Sequence, residues 1–174
     1  ASVEGHAQGW IITDSEGNVV VTFNEKALTD GSVEINVTGL AVGEYNVNAT
    51  YNGDENYISS DISGSFEVVQ ATPEVNIGTA NITYGENETV VVAVVAVEGG
   101  DVPTGNVTVV VTDSEGDVVV TFTEEALTDG AFSFNLTGLA VGEYGVDVTY
   151  NGDVNYAPAS GKGEFKVDRA VPTV

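Results

Sequence analysis

A chain of 174 residues, 42% of them hydrophobic and 21 of them Gly, is long enough for one or two cores, and its wealth of Val, Thr and Gly points to β structure. Its 27 acids against four bases leave a net charge of −23, which excludes nucleic acid and anionic membrane surfaces as partners and makes cations the natural counter-charge. With no Cys, each unit must carry its own core without disulfides; the longest apolar run, the eight residues from Val90 to Val97, falls short of the roughly 20 that a spanning helix needs, so no direct membrane insertion is expected.

Taken from the start, the opening Ala1 to Trp10 is followed by Asp14-Ser-Glu-Gly17, a hairpin turn, and by Thr29-Asp30-Gly31, a second one. A strand with Val33, Ile35 and Val37 turned inward is expected next. Ala71-Thr-Pro-Glu-Val75 then reads as a joint, its proline holding the linker extended. Beyond it the strand candidates are 74–77, 89–97, 106–112, 117–121, 131–137, 143–150 and 161–167. Asp113-Ser-Glu-Gly116 and Thr128-Asp129-Gly130 repeat the two turns, and Phe132, Phe134 and Leu136 share one face of their strand. The run from Val90 to Val97 leaves an apolar outward face, to be covered by the joint, by the preceding repeat or by another molecule.

Late in the chain, Tyr144, Val146, Val148 and Tyr150 alternate with Gly145, Asp147 and Thr149, the pattern of a half-buried strand. Tyr144 follows the turn at Gly142, the look of a tyrosine corner whose phenol bonds back to the backbone upstream, and Tyr45 holds the same place earlier. Asn151-Gly152-Asp153 then reverses the chain. Nearly the same words occur at Val37 to Tyr57, and residues 12–75 align with 111–174 at a shift of 99 without a gap, about three-fifths of them identical. The expected division is an incomplete repeat over 1–70, a complete one over 71–169, and the start of a further repeat, or a donor segment, over 170–174.

The signature GxYxVxxTYxGDxNY, followed about ten residues later by an FxV strand, resembles the bacterial immunoglobulin-like repeats of prokaryotic and archaeal surface adhesins. The resemblance implies an all-β fold of tandem immunoglobulin-like β-sandwiches in an extracellular, cell-surface setting; aligned on the second repeat, the first lacks its first two strands. It implies no catalytic residues. His6 is the only histidine, so a nucleophile–histidine pair has little to draw on; the acids lie in turns without the apolar surroundings that would raise one pKa. Lys26, Lys162 and Lys166 align with Glu125, Ser63 and Glu67, which removes a lysine shared by both repeats as the root of an isopeptide cross-link.

The function expected is therefore a structural or adhesive module, a stalk or filament of tandem repeats whose partners are copies of itself, adjacent repeats, or a cell-surface or glycan receptor. Calcium-dependent glycan or surface binding is the alternative. Calcium would draw on Asp113, Glu115 and Asp117 in one turn with Asp153 and Asn155 in another, repeated by Asp14, Glu16, Asn18, Asp54 and Asn56. Six Asn-x-Ser/Thr sequons, at Asn36, Asn48, Asn81, Asn87, Asn106 and Asn135, exceed the about two that composition predicts and are candidate glycosylation sites; Asn36, Asn48, Asn106 and Asn135 fall on expected outward faces. Because the incomplete repeat would expose the inner face of one sheet, strand complementation by a neighbouring copy is expected, with Trp10, in the place of Val109, filling part of the gap. The expected subunit interface is Trp10 with the donor residues Arg169, Val171, Pro172 and Val174, and with Val90, Val92 and Val94.

Overall fold

The computed structural model describes residues 8–174, apart from the side chains of Gln8 and Glu25. The chain divides into two compact units between Val69 and Gln70, and among the described residues every helix-or-strand element is a strand. The first unit holds β1 (Gln8–Asp14), β2 (Val19–Lys26), β3 (Gly43–Tyr51) and β4 (Ser60–Val68). The second holds β5 (Glu74–Gly78), β6 (Ile82–Thr83), β7 (Glu88–Val95), β8 (Asn106–Asp113), β9 (Val118–Ala126), β10 (Ala131–Leu136), β11 (Gly142–Tyr150) and β12 (Ala159–Asp168). All seven strands expected in this unit are present; the eighth, β6, is a two-residue piece that pairs in parallel with the end of β12.

The second unit is a two-layer sandwich. One sheet runs β10-β7-β5, the other β6-β12-β11-β8-β9. Alternation along the strands sends Val90, Val92 and Val94 of β7, Val107, Val109 and Val111 of β8, and Tyr144, Val146, Val148 and Tyr150 of β11 into one shared core. Phe122, Phe132 and Phe134 close one flank of the core as a ring cluster, with Phe122 and Phe134 centred 4.5 Å apart. On β12 two glycines admit the opposite sheet: a Cβ on Gly161 would stand 2.7 Å from the Val75 carbonyl oxygen, and one on Gly163 2.8 Å from Ile77 Cγ2. β5 thus lies against the bare backbone of β12.

The first unit is a single antiparallel sheet, β2-β1-β3-β4. Its strands match β9, β8, β11 and β12 of the second unit at the 99-residue shift, so only one layer of the sandwich is repeated. The strand expected around Val33, Ile35 and Val37 does not form. Its counterpart β10 is held by a ladder to β7 alone; with no equivalent of β7 among the described residues of the first unit, the backbone of 33–38 lies outside any strand. The alternation survives without the ladder, since Val33, Ile35 and Val37 are half-buried and Glu34 and Asn36 exposed.

Turn chemistry is the same in both units. Asp30 and Gly31, like Asp129 and Gly130, all have positive φ (51° and 79°, 51° and 76°), the signature of a two-residue type I′ hairpin turn that favours Asp-Gly. Each turn is closed by paired backbone bonds, Thr29 with Ser32 and Thr128 with Ala131.

Candidate functional site

The inner face of the first sheet, toward β3 and β4, opens into a groove of about 310 Å³ lined by Trp10, Val47, Ala49, Ile62 and residues 63–65. Trp10 is half-buried and stands opposite Ala49 and Phe23 in the sheet register. Its indole N–H is shielded from water and has no hydrogen-bond partner among the described residues, an arrangement that costs free energy wherever it persists. Ile62, 70% exposed, occupies the place that Gly161 holds in β12. Among the described residues, the two bulkiest departures from the repeat, Val109 to Trp10 and Gly161 to Ile62, therefore fall on the same groove. Comparing aligned positions by size, rather than identity alone, would have singled out Ile62 in the sequence.

The expected interface residues divide three ways. Trp10 lines the groove; Arg169, Val171, Pro172 and Val174 are exposed. Val90, Val92 and Val94 are instead core residues with at most 4% of their surface exposed, so no partner can meet them. The outward residues of that run are Val91, Val95 and Val97, about two-fifths exposed, because the period of two turns alternate valines to opposite faces.

The acidic residues fall into two sets at opposite ends of the larger sheet. Ligand atoms of Asp113, Glu115 and Asp117 lie within 4.8 Å of one another, and Asp113 Oδ1 accepts from the backbone N–H of Glu115 and of Asp117, both at 3.0 Å. In the first unit Asn18 stands at the third position. Its side-chain amide donates to Asp14 Oδ2 at 3.2 Å and to Glu16 Oε2 at 3.4 Å, and the backbone N–H of Asn18 and of Glu16 donate to Asp14 Oδ1. These bonds, that of the Asn18 backbone first, hold the Asp14 carboxyl below the usual range.

Asp153 and Asn155 do not join the Asp113 turn: Asp153 binds the stretch before β8 while Asp113 ends that strand, a separation of about 23 Å for seven extended residues. Burial works against ionisation of Asp153, but donors from Thr104, Tyr156 and Asn155 outweigh it and lower its pKa. The same carboxylate, after burial, raises the phenol of Tyr150. Asp54 Oδ1 accepts from the backbone N–H of Asn56 and Tyr57 in the same way.

Of the sequon asparagines, Asn36, Asn48, Asn81, Asn87 and Asn135 are exposed, while Asn106, expected to face outward, is half-buried and accepts a bond from the Asn151 amide. Asn135 Oδ1 accepts from Thr89 Oγ1, and Asn81 Oδ1 from the Lys166 backbone N–H. Both tyrosine corners are made: Tyr45 donates to the Ala41 carbonyl at 2.6 Å and Tyr144 to that of Ala140 at 2.7 Å. Lys162 and Lys166 pair across β11 and β12 with Asp147 and Glu143 on the exposed surface, and His6 lies outside the described residues. Glu88, on a stretch that the 99-residue alignment does not reach, is buried; its Oε1 accepts from the Ala80 N–H at 3.2 Å and its Oε2 has no partner among the described residues. Burial raises its pKa.

The sandwich of the second unit, with its buried tyrosine corner, is matched over residues 75–168 by the model of the bacterial Ig-like domain (group 3). The chain belongs to that family. Among solved structures, CopC from Methylosinus trichosporium OB3b matches at 19% identity and a TM-score of 0.43, covering 58% of this chain and 100% of its own. Fibronectin(III)-like modules of CbhA from Clostridium thermocellum match at 13% and 0.37, covering 97% and 82%. Domains 4 and 5 of the S-layer protein SbsC match at 17% and 0.38, covering 96% and 90%. No curated protein sequence matches this one. The matched segment is the complete Ig-like unit, β5 to β12; the single-sheet unit lies outside it.

Proposed function

We propose that this Ig-like chain is a non-catalytic structural module of an extracellular surface protein, a length of stalk in which Ig-like units follow one another. The observation that carries the reading is the repeat itself: two compact units built from the same words, with turns of the same kind at Asp30-Gly31 and Asp129-Gly130. A dedicated ligand site would make the loops of one unit diverge from those of the other. The strong negative charge suits a chain displayed in solvent and held apart from its neighbours. Antibodies raised against the chain should label intact cells of its source, and surface proteolysis should release it; labelling only after lysis would overturn the proposal.

Calcium-dependent surface binding is the second reading, favoured by the three clustered carboxylates of Asp113, Glu115 and Asp117. An equal melting temperature in calcium and in chelator would remove it. Exposed sequons at Asn36, Asn48, Asn81, Asn87 and Asn135 make glycosylation part of the surface reading, and an unmodified intact mass from the native source would remove that part. Assembly of copies by the donor segment 169–174 has weaker support. Aligned on the joint at Ala71, it would begin a β5-like strand, and β5 draws its ladder from β7 alone.

A further inference from the structure

The groove of the first unit lies where, among the described residues, no strand matches β5 or β7, and the second unit shows which of the two it can still receive. β7 is the central strand of its sheet: one edge pairs with β10, residue 92 opposite 132 and 90 opposite 134, and the other with β5. In the first unit the seat of β7 survives. Val33, Ile35 and Val37 keep the alternation of β10 with their backbone outside any strand, and Trp10, Val47 and Ala49 provide an uncharged floor. The seat of β5 does not survive, because Ile62 stands where even the Cβ of an alanine at Gly161 would come 2.7 Å from the backbone of β5. We infer that the first unit is an acceptor for one extended strand of the β7 pattern, antiparallel to residues 32–37 and closed to a second strand beside it. The inference goes beyond the stalk reading and can fail without it.

The groove also states what the occupant must be. Its inward positions take small β-branched side chains, as Val90, Val92 and Val94 do in β7, and carry no charge, since the floor offers none a partner. Its centre excludes proline, which would remove a ladder donor; that bars the segment carrying Pro172. A second copy laid face to face is the poorer occupant. Four strands about 4.8 Å apart and about seven residues long make a face of about 440 Å². Two such faces present together about 900 Å² in plan, at the low end against the 1,200 Å² or so of a stable interface, and two strongly acidic chains would repel.

Trp10 is the only tryptophan and lines the groove, so its emission reports occupancy in the intact chain. A peptide of the sequence 89–97 with a polar tail should give a saturable blue shift, and the same peptide with Val92→Pro should give none. A longer peptide spanning β5 to β7 should bind the natural chain no tighter than the single strand, yet at least tenfold tighter to an Ile62→Gly variant whose circular dichroism matches the parent. Absence of a saturable shift, equal binding of the proline peptide, or tighter binding of the longer peptide to the natural chain would each overturn the inference. So would a concentration-dependent shift in the chain alone with dimers in sedimentation, which would make a second copy the occupant.

Discussion

Tyr57 and Tyr156 close the same sequence signature, yet one is 52% exposed and the other 1%. Around Tyr156 the complete unit supplies every contact: the phenol donates to the Asp101 carbonyl at 2.7 Å and accepts from the Val97 N–H, and the backbone pairs with Ala71. Phe66 and Phe165 diverge in the same way, 37% against 2% exposed, although each stacks on its corner tyrosine at nearly the same distance, 5.3 and 5.2 Å. Contacts made within one sheet are thus common to both units, and contacts between sheets belong to one. Identical residues acquire different energetic roles because burial is a property of the opposite layer.

The largest test of that contrast exchanges the residues on which it turns. Gly161→Ile should force β5 off β12 and destabilise the complete unit by about 3 kcal/mol, the scale of overpacking a filled core. Ile62→Gly, at an exposed position, should stay within about 1 kcal/mol. Urea unfolding resolves the two, since Trp10 emission follows the first unit and circular dichroism both.

Next in size is the pair of closing tyrosines. Tyr156→Phe removes a buried hydroxyl that both donates and accepts, and should cost about 1–3 kcal/mol; Tyr57→Phe should fall within about 0.5 kcal/mol. Similar losses at both positions would mean that the first unit is covered as fully as the second. The corner tyrosines sharpen the comparison from the other side. Tyr45→Phe and Tyr144→Phe each lose a single bond made on the same sheet, so each should cost about 1 kcal/mol, and a large inequality would contradict the equivalence of the two sheets.

The smallest effect is at Glu88, on β7 of the complete unit. Its folded pKa is raised, so the stability it contributes is full below the ordinary carboxylate value and is lost as pH rises through the folded one. Glu88→Gln should therefore raise the melting temperature of the second unit at pH 7 by a few degrees, about 1 kcal/mol, and leave it unchanged at pH 4. Asp153 has the opposite sign. Its pKa is lowered, so its stabilisation holds above the ordinary value and vanishes as pH falls through the folded one.

Much of this was written in local patterns. The seven main strands of the second unit, the Asp-Gly hairpins and the two tyrosine corners follow from alternation, glycine placement and residues a few positions apart, which act through the backbone of their own neighbourhood. The 99-residue repeat likewise gave notice of the two units. What alternation does not carry is which face has a partner. Val33, Ile35 and Val37 have the pattern of a strand and form none, because a ladder needs a second strand and the pattern cannot summon one. The valines of 90–97 read as one apolar run until the sandwich sent alternate members into the core. Asp113 and Asp153, alike as turn acids, were placed at opposite ends by the length of one strand. Ile62 was visible as a letter from the outset; its meaning came only from β5 lying against Gly161, a contact between segments more than 80 positions apart.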